Sequence, residues 1–384
     1  MVNFDALYTE KEVYVWGACE RGEFVEAGLE DRGVRVLAFV DSNKSKQEKY
    51  CWKGKRCIDV SALQSEIPIV VVASEKWNLQ IARTIESFCE FGRRVYYLNG
   101  LSYEEFYCDI SDEAVIRTRW HQRKGIPLNL NRPQTFNEKI QWLKLHDRNP
   151  LYTRLSDKFA VKEYVISKSR QILNLKVIPT LGVWNNYREI DFSKLPEKFV
   201  LKATHDSGSI QLCTNRNTFD YELAEQVLTA TLQKNYYWYD REWAYKDIPP
   251  RIIAEPYLTD ESKKELKDYK IQCFNGEPKI IQVDYDRFGN HRRNIYDLEW
   301  NYLPYEIKYP SDKTIKIKKP NNLNKLLEAA RVLSDGIPYV RVDLYVVENE
   351  IFFGEYTFYH GGGYEDIRPI ELDYELGRFM SFVN

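Results

Sequence analysis

In the first hundred residues, apolar positions come in short β-branched runs separated by segments of helical periodicity. Val13-Tyr14-Val15-Trp16 and the runs at 34–40, 67–73 and 95–98 read as strands, and Phe24, Ala27, Gly28 and Leu29 trace one face of a helix between the first two. Such alternation predicts a parallel sheet covered by helices, in an α/β domain of residues 1–104.

The pattern then changes. From about 105 to 200 it is mostly helical, with Phe136, Ile140 and Leu143 at helical spacing and a second amphipathic segment at 157–165 for which Ser156 is the expected N-cap. Strand-like runs follow at 198–204, 251–258, 269–274, 278–284, 339–347 and 351–358, with helices near 219–233 and 321–334. Strand and helix mix without strict alternation, which predicts an α+β second region over 105–384.

Within the last two runs, period-two alternation puts Val340, Val342, Leu344 and Val346 on one strand face and Arg341, Asp343 and Tyr345 on the other. A three-residue loop at 348–350 would pair Val347 with Ile351, setting Asp343 opposite Glu355 and Arg341 opposite Thr357. Two acids opposed this closely need positive charge between them, and hard oxygen ligands suit Mg²⁺, so Asp343 and Glu355 are candidate metal ligands. On this view Asp343→Asn or Glu355→Gln relieves a repulsion and leaves the hairpin at least as stable.

A further charge stands at Lys202, at the end of the strand Lys198-Phe199-Val200-Leu201-Lys202, just before Ser207-Gly208-Ser209. A lysine at the end of a buried strand calls for an anion, and such a loop can present N–H groups to phosphate oxygens, although no Walker A loop is present. The strand ending at Glu255 leads into Tyr257 and Leu258, which offer a surface for a purine, with Asp260 and Glu261 beyond for ribose hydroxyls. Arg287, His291, Arg292 and Arg293 cluster near Asp284 and Asp286 as candidate groups for an anionic substrate. Gly17-Ala18-Cys19-Glu20-Arg21-Gly22 follows the first strand and Asp41 ends the second, in the positions of a Rossmann phosphate turn and its ribose acid, but Cys19 replaces the middle glycine.

Composition narrows the class. Lys and Arg total 55 against 57 Asp and Glu, so no global field favours nucleic acid or an anionic membrane. The N-terminal residues lack the pattern of a signal peptide, no run approaches the length of a membrane span, and the 7 cysteines form no C-x-x-C pair. These features predict a cytoplasmic protein without membrane insertion or nucleic-acid partner. The 28 tyrosines would suit saccharide contact as well as aromatic cores.

Taken in order, Lys202 with its Ser-Gly-Ser loop, the Glu255 strand end, the stretch from Asp268 through Lys270 to Gly276, and the Arg341-x-Asp343 to Glu355-x-Thr357 hairpin resemble an ATP-grasp fold. The stretches Thr135-Phe136-Asn137-Glu138-Lys139-Ile140-Gln141-Trp142 and Ser156-Asp157-Lys158-Phe159-Ala160-Val161 are similar to the TupA-like ATP-grasp family of teichuronopeptide synthesis. The resemblance covers about residues 115–370, and the segment at 13–41 resembles small Rossmann-like domains of polysaccharide enzymes. It implies a carboxylate–amine ligase using ATP and Mg²⁺, with a carboxylate-bearing saccharide or peptide and an amine as substrates. ATP would be held by Lys158, Lys202, Ser207, Gly208, Ser209, Glu255, Tyr257, Leu258, Glu261 and Lys270. Metal would be held by Asp343, Glu355 and Thr357, where many ATP-grasp enzymes carry Asn in place of Thr. Lys202 and Arg341 would act in catalysis, and the amides of Gly361-Gly362-Gly363 would face the oxyanion beside the Arg287 to Arg293 substrate cluster. A glycosyltransferase of the same pathway and a nucleotide-binding module without turnover are the alternatives.

Overall fold

The computed structural model describes residues 4–64, 66–72, 94–97, 108, 110–170, 172, 175–259, 267–285 and 291–381. The chain divides into two compact units, Met1–Leu128 and Asn129–Asn384. No helix among the described residues is long and apolar enough to cross a membrane.

The first unit contains the mostly parallel sheet that the alternation predicts. Its six strands are β1 (Glu12–Trp16), β2 (Arg35–Val40), β3 (Cys51–Trp52), β4 (Lys55–Ile58), β5 (Ile69–Val71) and β6 (Val95–Tyr97), in the order β3-β4-β2-β1-β5-β6. All pairings are parallel except β3 with β4. Ala73 and Leu98, the ends expected for two strands, lie outside the described residues. The glycine turn has a packing explanation. A Cβ on Gly22, in the helix Glu20–Asp31, would lie 2.0 Å from the Gly17 carbonyl oxygen, so the pair lets the helix start close against the end of β1. Asp41 is engaged in its own turn, accepting from Lys46 Nζ at 2.8 Å and the Asn43 amide at 3.0 Å.

Two sheets form the second unit. The smaller contains β8 (Gly182–Trp184), β9 (Phe199–Ala203), β10 (Gln211–Cys213) and β11 (Ile252–Pro256), in the order β10-β9-β11-β8. Phe199, Leu201, Ile252 and Ala254 pack into one core with Ala224 and Leu228 of the helix Tyr221–Leu232. By strand alternation, Lys202 and Glu255 point to the opposite face.

The larger sheet is built from β7 (Leu175–Val177), β12 (Asp268–Phe274), β13 (Glu277–Tyr285), β14 (Arg292–Tyr296), β15 (Tyr302–Leu303), β17 (Tyr339–Val347) and β18 (Glu350–Thr357), in the order β15-β14-β13-β12-β17-β18-β7. A separate short pair joins β16 (Glu306–Ile307) to β19 (Ile367–Arg368). One face of the large sheet is apolar: Ile271, Cys273, Ile281, Val283, Val340, Val342 and Leu344 share a core with Leu326, Ala329, Ala330 and Leu333 of the helix Leu323–Ser334. The other face is polar, and the helix Phe136–His146 covers part of it, with the Phe136 ring 4.8 Å from that of Tyr339. A complete capping box from Thr135 and Glu138 starts that helix.

Two expectations are corrected here. Ser156 does not cap the helix that follows; it ends the helix Pro150–Ser156, and the next runs Val161–Ser169. Asp157 takes the turn instead, its Oδ1 accepting from the amides of Phe159 and Ala160, because a carboxylate at that position can also pair with Arg251. The hairpin loop has two residues, with Val347 opposite Glu350 and both Glu348 and Asn349 at positive φ. A bulge at Gly354 restores the register, so Asp343 still faces Glu355 and Arg341 still faces Thr357.

Candidate active site

Cross-strand register arranges the polar face of the large sheet in three rows. The first runs Arg293, Asp284, Asp268, Tyr345. Gln282, Lys270, Asp343 and Glu355 form the second, and Gln272, Arg341 and Thr357 the third. The alternation read from β17 thus extends over five strands.

The centre of this grid is a charge cluster. Asp343 is fully buried, and its oxygens accept from Arg341 Nε at 2.6 Å, Arg341 Nη2 at 2.7 Å and Lys270 Nζ at 2.7 Å. Lys270 also reaches Asp268 at 2.5 Å. Burial alone would raise the Asp343 carboxyl, but Arg341 and Lys270 outweigh it and hold it below the usual carboxylate range. The positive charge between the opposed acids is therefore supplied by the protein's own side chains. Glu355 differs: its side chain is 44 % exposed and meets the edge of the guanidinium, Oε1 to Arg341 Nη2 at 3.5 Å. Thr357 is half-buried beside it.

Arg341 is held from behind by His360, whose Nδ1 lies 3.1 Å from Nη1. Since a guanidinium only donates, Nδ1 accepts, and the ring proton sits on Nε2, 2.9 Å from Glu365. Burial lowers the His360 pKa, and the pull of Glu365 does not reverse it. Sequence reasoning missed His360 and Glu365. Their only signal was a histidine before three glycines.

On the small sheet, Lys202 Nζ lies 2.5 Å from Glu255 and Lys162 Nζ reaches the same carboxylate at 2.6 Å. Burial would raise the Glu255 carboxyl, yet the two lysines hold it low. Two ammonium groups on one carboxylate leave a net positive charge, as an anion site requires. Lys162 was also missed, although it stands four residues after Lys158, at the start of the helix Val161–Ser169. Lys158 bonds the Asp206 carbonyl, and its ammonium feels both Asp206 and Glu355, while burial lowers its pKa. It lines a small cavity with Ser156, Tyr245, Gly354 and Glu355, beside β18 of the large sheet.

The other candidates are placed as follows. Ser207 and Gly208 are exposed, Gly208 with φ of 118°. Ser209 is buried and closes its own loop, its amide and hydroxyl both donating to Asp206. Tyr257 and Leu258 are half-buried just past β11. Glu261 and Arg287 lie outside the described residues.

The expected substrate cluster is split by the pleat. Arg293 makes a bidentate pair with Asp284 at 2.5 and 3.1 Å, and His291 stacks on Tyr309 at 3.7 Å with Nε2 3.7 Å from Asp284. Arg292 points to the other face. The Gly362 amide is not an open oxyanion donor, because it donates to the Tyr359 carbonyl at 2.8 Å. Positive φ at all three glycines turns the carbonyls inward instead, and Gly362 O accepts from Lys144 Nζ at 2.6 Å and Gln141 Nε2 at 2.9 Å.

Residues 138–381 match the family described as TupA-like ATPgrasp. Solved structures that resemble this chain include D-alanine–D-alanine ligase from Helicobacter pylori, 14 % identical, covering 97 % of this chain and 100 % of that one with a TM-score of 0.33. Another is D-alanine–D-alanine ligase from Bacillus anthracis complexed with ATP, 11 % identical over 90 % and 84 % of the two chains, TM-score 0.31. A third is N5-carboxyaminoimidazole synthase from Aspergillus clavatus in complex with ADP and 5-aminoimidazole ribonucleotide, 12 % identical over 92 % and 72 %, TM-score 0.30. No curated protein matches. The family match covers well over half of the sequence, so the chain belongs to the TupA-like ATP-grasp family and is an ATP-dependent ligase.

Proposed function

We propose that this ligase activates a carboxylate as an acyl phosphate at the Arg341, Asp343 and Glu355 cluster and joins it to an amine, releasing ADP and phosphate. The substrate proposed is a uronic acid or acidic peptide group of a cell-surface polysaccharide, by resemblance to the family's pathway. One observation carries the reading: a buried guanidinium and a half-exposed carboxylate on one sheet face, beside Lys158, with Lys202 on the other sheet.

The donor set fits Mg²⁺. Among the described residues no three His, Cys, Asp or Glu side chains converge as a protein cage. Mg²⁺ typically takes one or two carboxylates and completes its shell with phosphate oxygens and water. Glu355 has oxygens to give, Thr357 adds a hydroxyl, and Asp343 could yield one oxygen because Lys270 retains Asp268. Bound there, the ion would offset charge on the transferring phosphoryl group.

The chain's own residues do the rest. Lys202 and Lys162, sharing Glu255, orient ATP phosphates, and Lys158 lies toward Glu355 where transfer takes place. Arg341, fixed on two sides by Asp343 and His360, donates to the oxygens that gain charge in the acyl phosphate and in the tetrahedral intermediate formed by the amine. The half-exposed purine surface at Tyr257 and Leu258 suits adenine.

The test is ADP release with a panel of uronic acids and amines. Release that requires both substrates supports the ligase, and UDP release from a sugar donor would favour a transferase instead. Lys202→Met, which keeps the apolar stem, should slow acyl-phosphate formation about a hundredfold, or about 3 kcal/mol. Parent-like single-turnover rates in that variant would remove Lys202 from the mechanism.

A further inference from the structure

One polar group at the cavity beside β18 has no role in the chemistry above. Tyr245 lines that cavity together with Lys158 and Glu355, while Leu155 and Tyr356 supply apolar wall. The Tyr245 hydroxyl bonds no described residue and is open to solvent. Tyrosines nearby direct theirs to the protein: Tyr356 of the same wall donates to the Leu333 carbonyl at 2.9 Å, and Tyr152, on the helix that ends at Ser156, donates to Asp147 at 2.9 Å.

The phenol is held in place from several sides. Tyr245 ends the 3₁₀ helix Trp243–Tyr245, its amide donating to the Glu242 carbonyl at 3.0 Å. Ala244 is wholly buried in the large core, Trp243 lies under Arg148 at 5.0 Å, and the Tyr245 ring meets that of Tyr236 at 4.9 Å and 59°. Asn235 Nδ2 donates to the Lys246 carbonyl at 2.8 Å and ties the two ends of this segment together. Phenylalanine would pack in the same place, so packing does not account for the hydroxyl.

The surroundings select the chemistry. Lys158 brings an ammonium group to the cavity and Tyr245 a phenol, which with an ordinary pKa of about 10 keeps its proton at neutral pH. Both groups donate, so what fits between them is an acceptor. Glu355 by itself repels an anion, but as a ligand of Mg²⁺ it draws phosphate oxygens toward the metal. Glu355 is 44 % exposed and Tyr245 half-buried, so a phosphoryl group arriving with the nucleotide can reach both.

We propose that Tyr245 is a further binding residue for the γ-phosphoryl group of ATP: its hydroxyl donates to an oxygen of that group and holds it for transfer. The contact moves no proton. It rests on the reading that transfer takes place beside Glu355. A rigid, preorganised donor of this kind needs no reorganisation when charge shifts onto the oxygen it faces.

The test is calorimetry on the full chain with Mg²⁺, using ADP and the imido analogue of ATP, which keeps the third phosphoryl group without transferring it. The parent should bind the analogue more tightly than ADP. Tyr245→Phe should weaken the analogue about tenfold, the scale of one hydrogen bond to a charged group, and leave ADP within about twofold. Its melting temperature should match the parent's, because the hydroxyl bonds nothing in the described protein. A parent that binds both nucleotides alike, an equal loss for both in the variant, or no loss for either would overturn the assignment. Glu355→Gln, measured alongside, separates it from the reading on which it rests. If Tyr245→Phe matches the parent while Glu355→Gln loses the preference for the analogue, the phenol serves packing alone and the transfer site stands. If the preference falls in Tyr245→Phe but survives in Glu355→Gln, the phenol contact stands and the site at Glu355 does not.

Discussion

At the scale of single residues, Asp343 shows why an opposed acid pair is not simply a repulsion. From the sequence, neutralising either acid should relieve strain. In the structure Asp343 holds two cations, so Asp343→Asn takes from buried Arg341 its bidentate partner and leaves Lys270 with Asp268 alone, and should cost about 3 kcal/mol or more. Glu355→Gln, half-exposed and loosely paired, should change stability by less than about 0.5 kcal/mol while removing most Mg-dependent turnover. Urea titrations with parallel ADP assays separate these outcomes; equal stability in the two variants would contradict the asymmetry. The alternation of β17 made Arg341, Asp343 and Glu355 legible as a group. Their ion pairing was not legible, because it depends on β12, whose place beside β17 is a long-range fact. Glu255 carries the second prediction. Its folded pKa lies below the ordinary carboxylate value, so its contribution to stability is present above that value and is lost as pH falls through the folded one. In Lys202→Met only Lys162 remains on Glu255, its pKa rises toward the ordinary value, and loss of melting temperature on acidification should begin at a higher pH than in the parent. Superimposable acid curves would mean that the pair does not couple to folding.

At the scale of elements, the β17–β18 hairpin joins two departures from the simplest reading. A loop one residue shorter than expected shifts the register by one, and the bulge at Gly354 shifts it back before Glu355. A one-residue slip would put Glu355 on the apolar face, so the bulge is what delivers it to the polar one. Gly354 is required for a steric reason: a Cβ there would meet the Tyr345 ring at 2.9 Å and the Asp343 carbonyl oxygen at 3.0 Å. Gly354→Ala should destabilise by about 1–3 kcal/mol and reduce turnover by displacing Glu355. Full activity with unchanged melting would show that the ring simply moves aside. Glycine in a strand was the visible hint of a bulge. The core helix at Phe136–His146 was easier to anticipate, since its capping box and apolar spacing are local, whereas the cap at Ser156 failed because Asp157 competes for the same turn with a stronger acceptor.

At the scale of the whole molecule, the two units call for different tests. The candidate ATP and metal residues of the ligase site fall within Asn129–Asn384, and in the first unit the glycine turn is accounted for by packing. The helix Asp112–Lys124 belongs to the first unit, where Arg119 pairs with Glu20 and Gln122 bonds Glu23. A chain beginning at Asn129 should therefore keep ATP affinity within about tenfold of the parent. Loss of ATP binding in a folded truncated chain would make the first unit part of the nucleotide site.

The path from β7 to β8 limits how far apart the two sheets can stand at that point. β7 edges the large sheet beside β18, β8 edges the small sheet beside β11, and residues 178–181 are all that separate them. Four residues reach about 14 Å at full stretch, and Pro179 stiffens them further. Lys162 fastens this tether from the side, donating to Thr180 at 2.7 Å while it holds Glu255. A connection this short keeps that end of β7 and that end of β8 within about 14 Å of each other, and with them the Glu355 side of the large sheet and the Glu255 side of the small one.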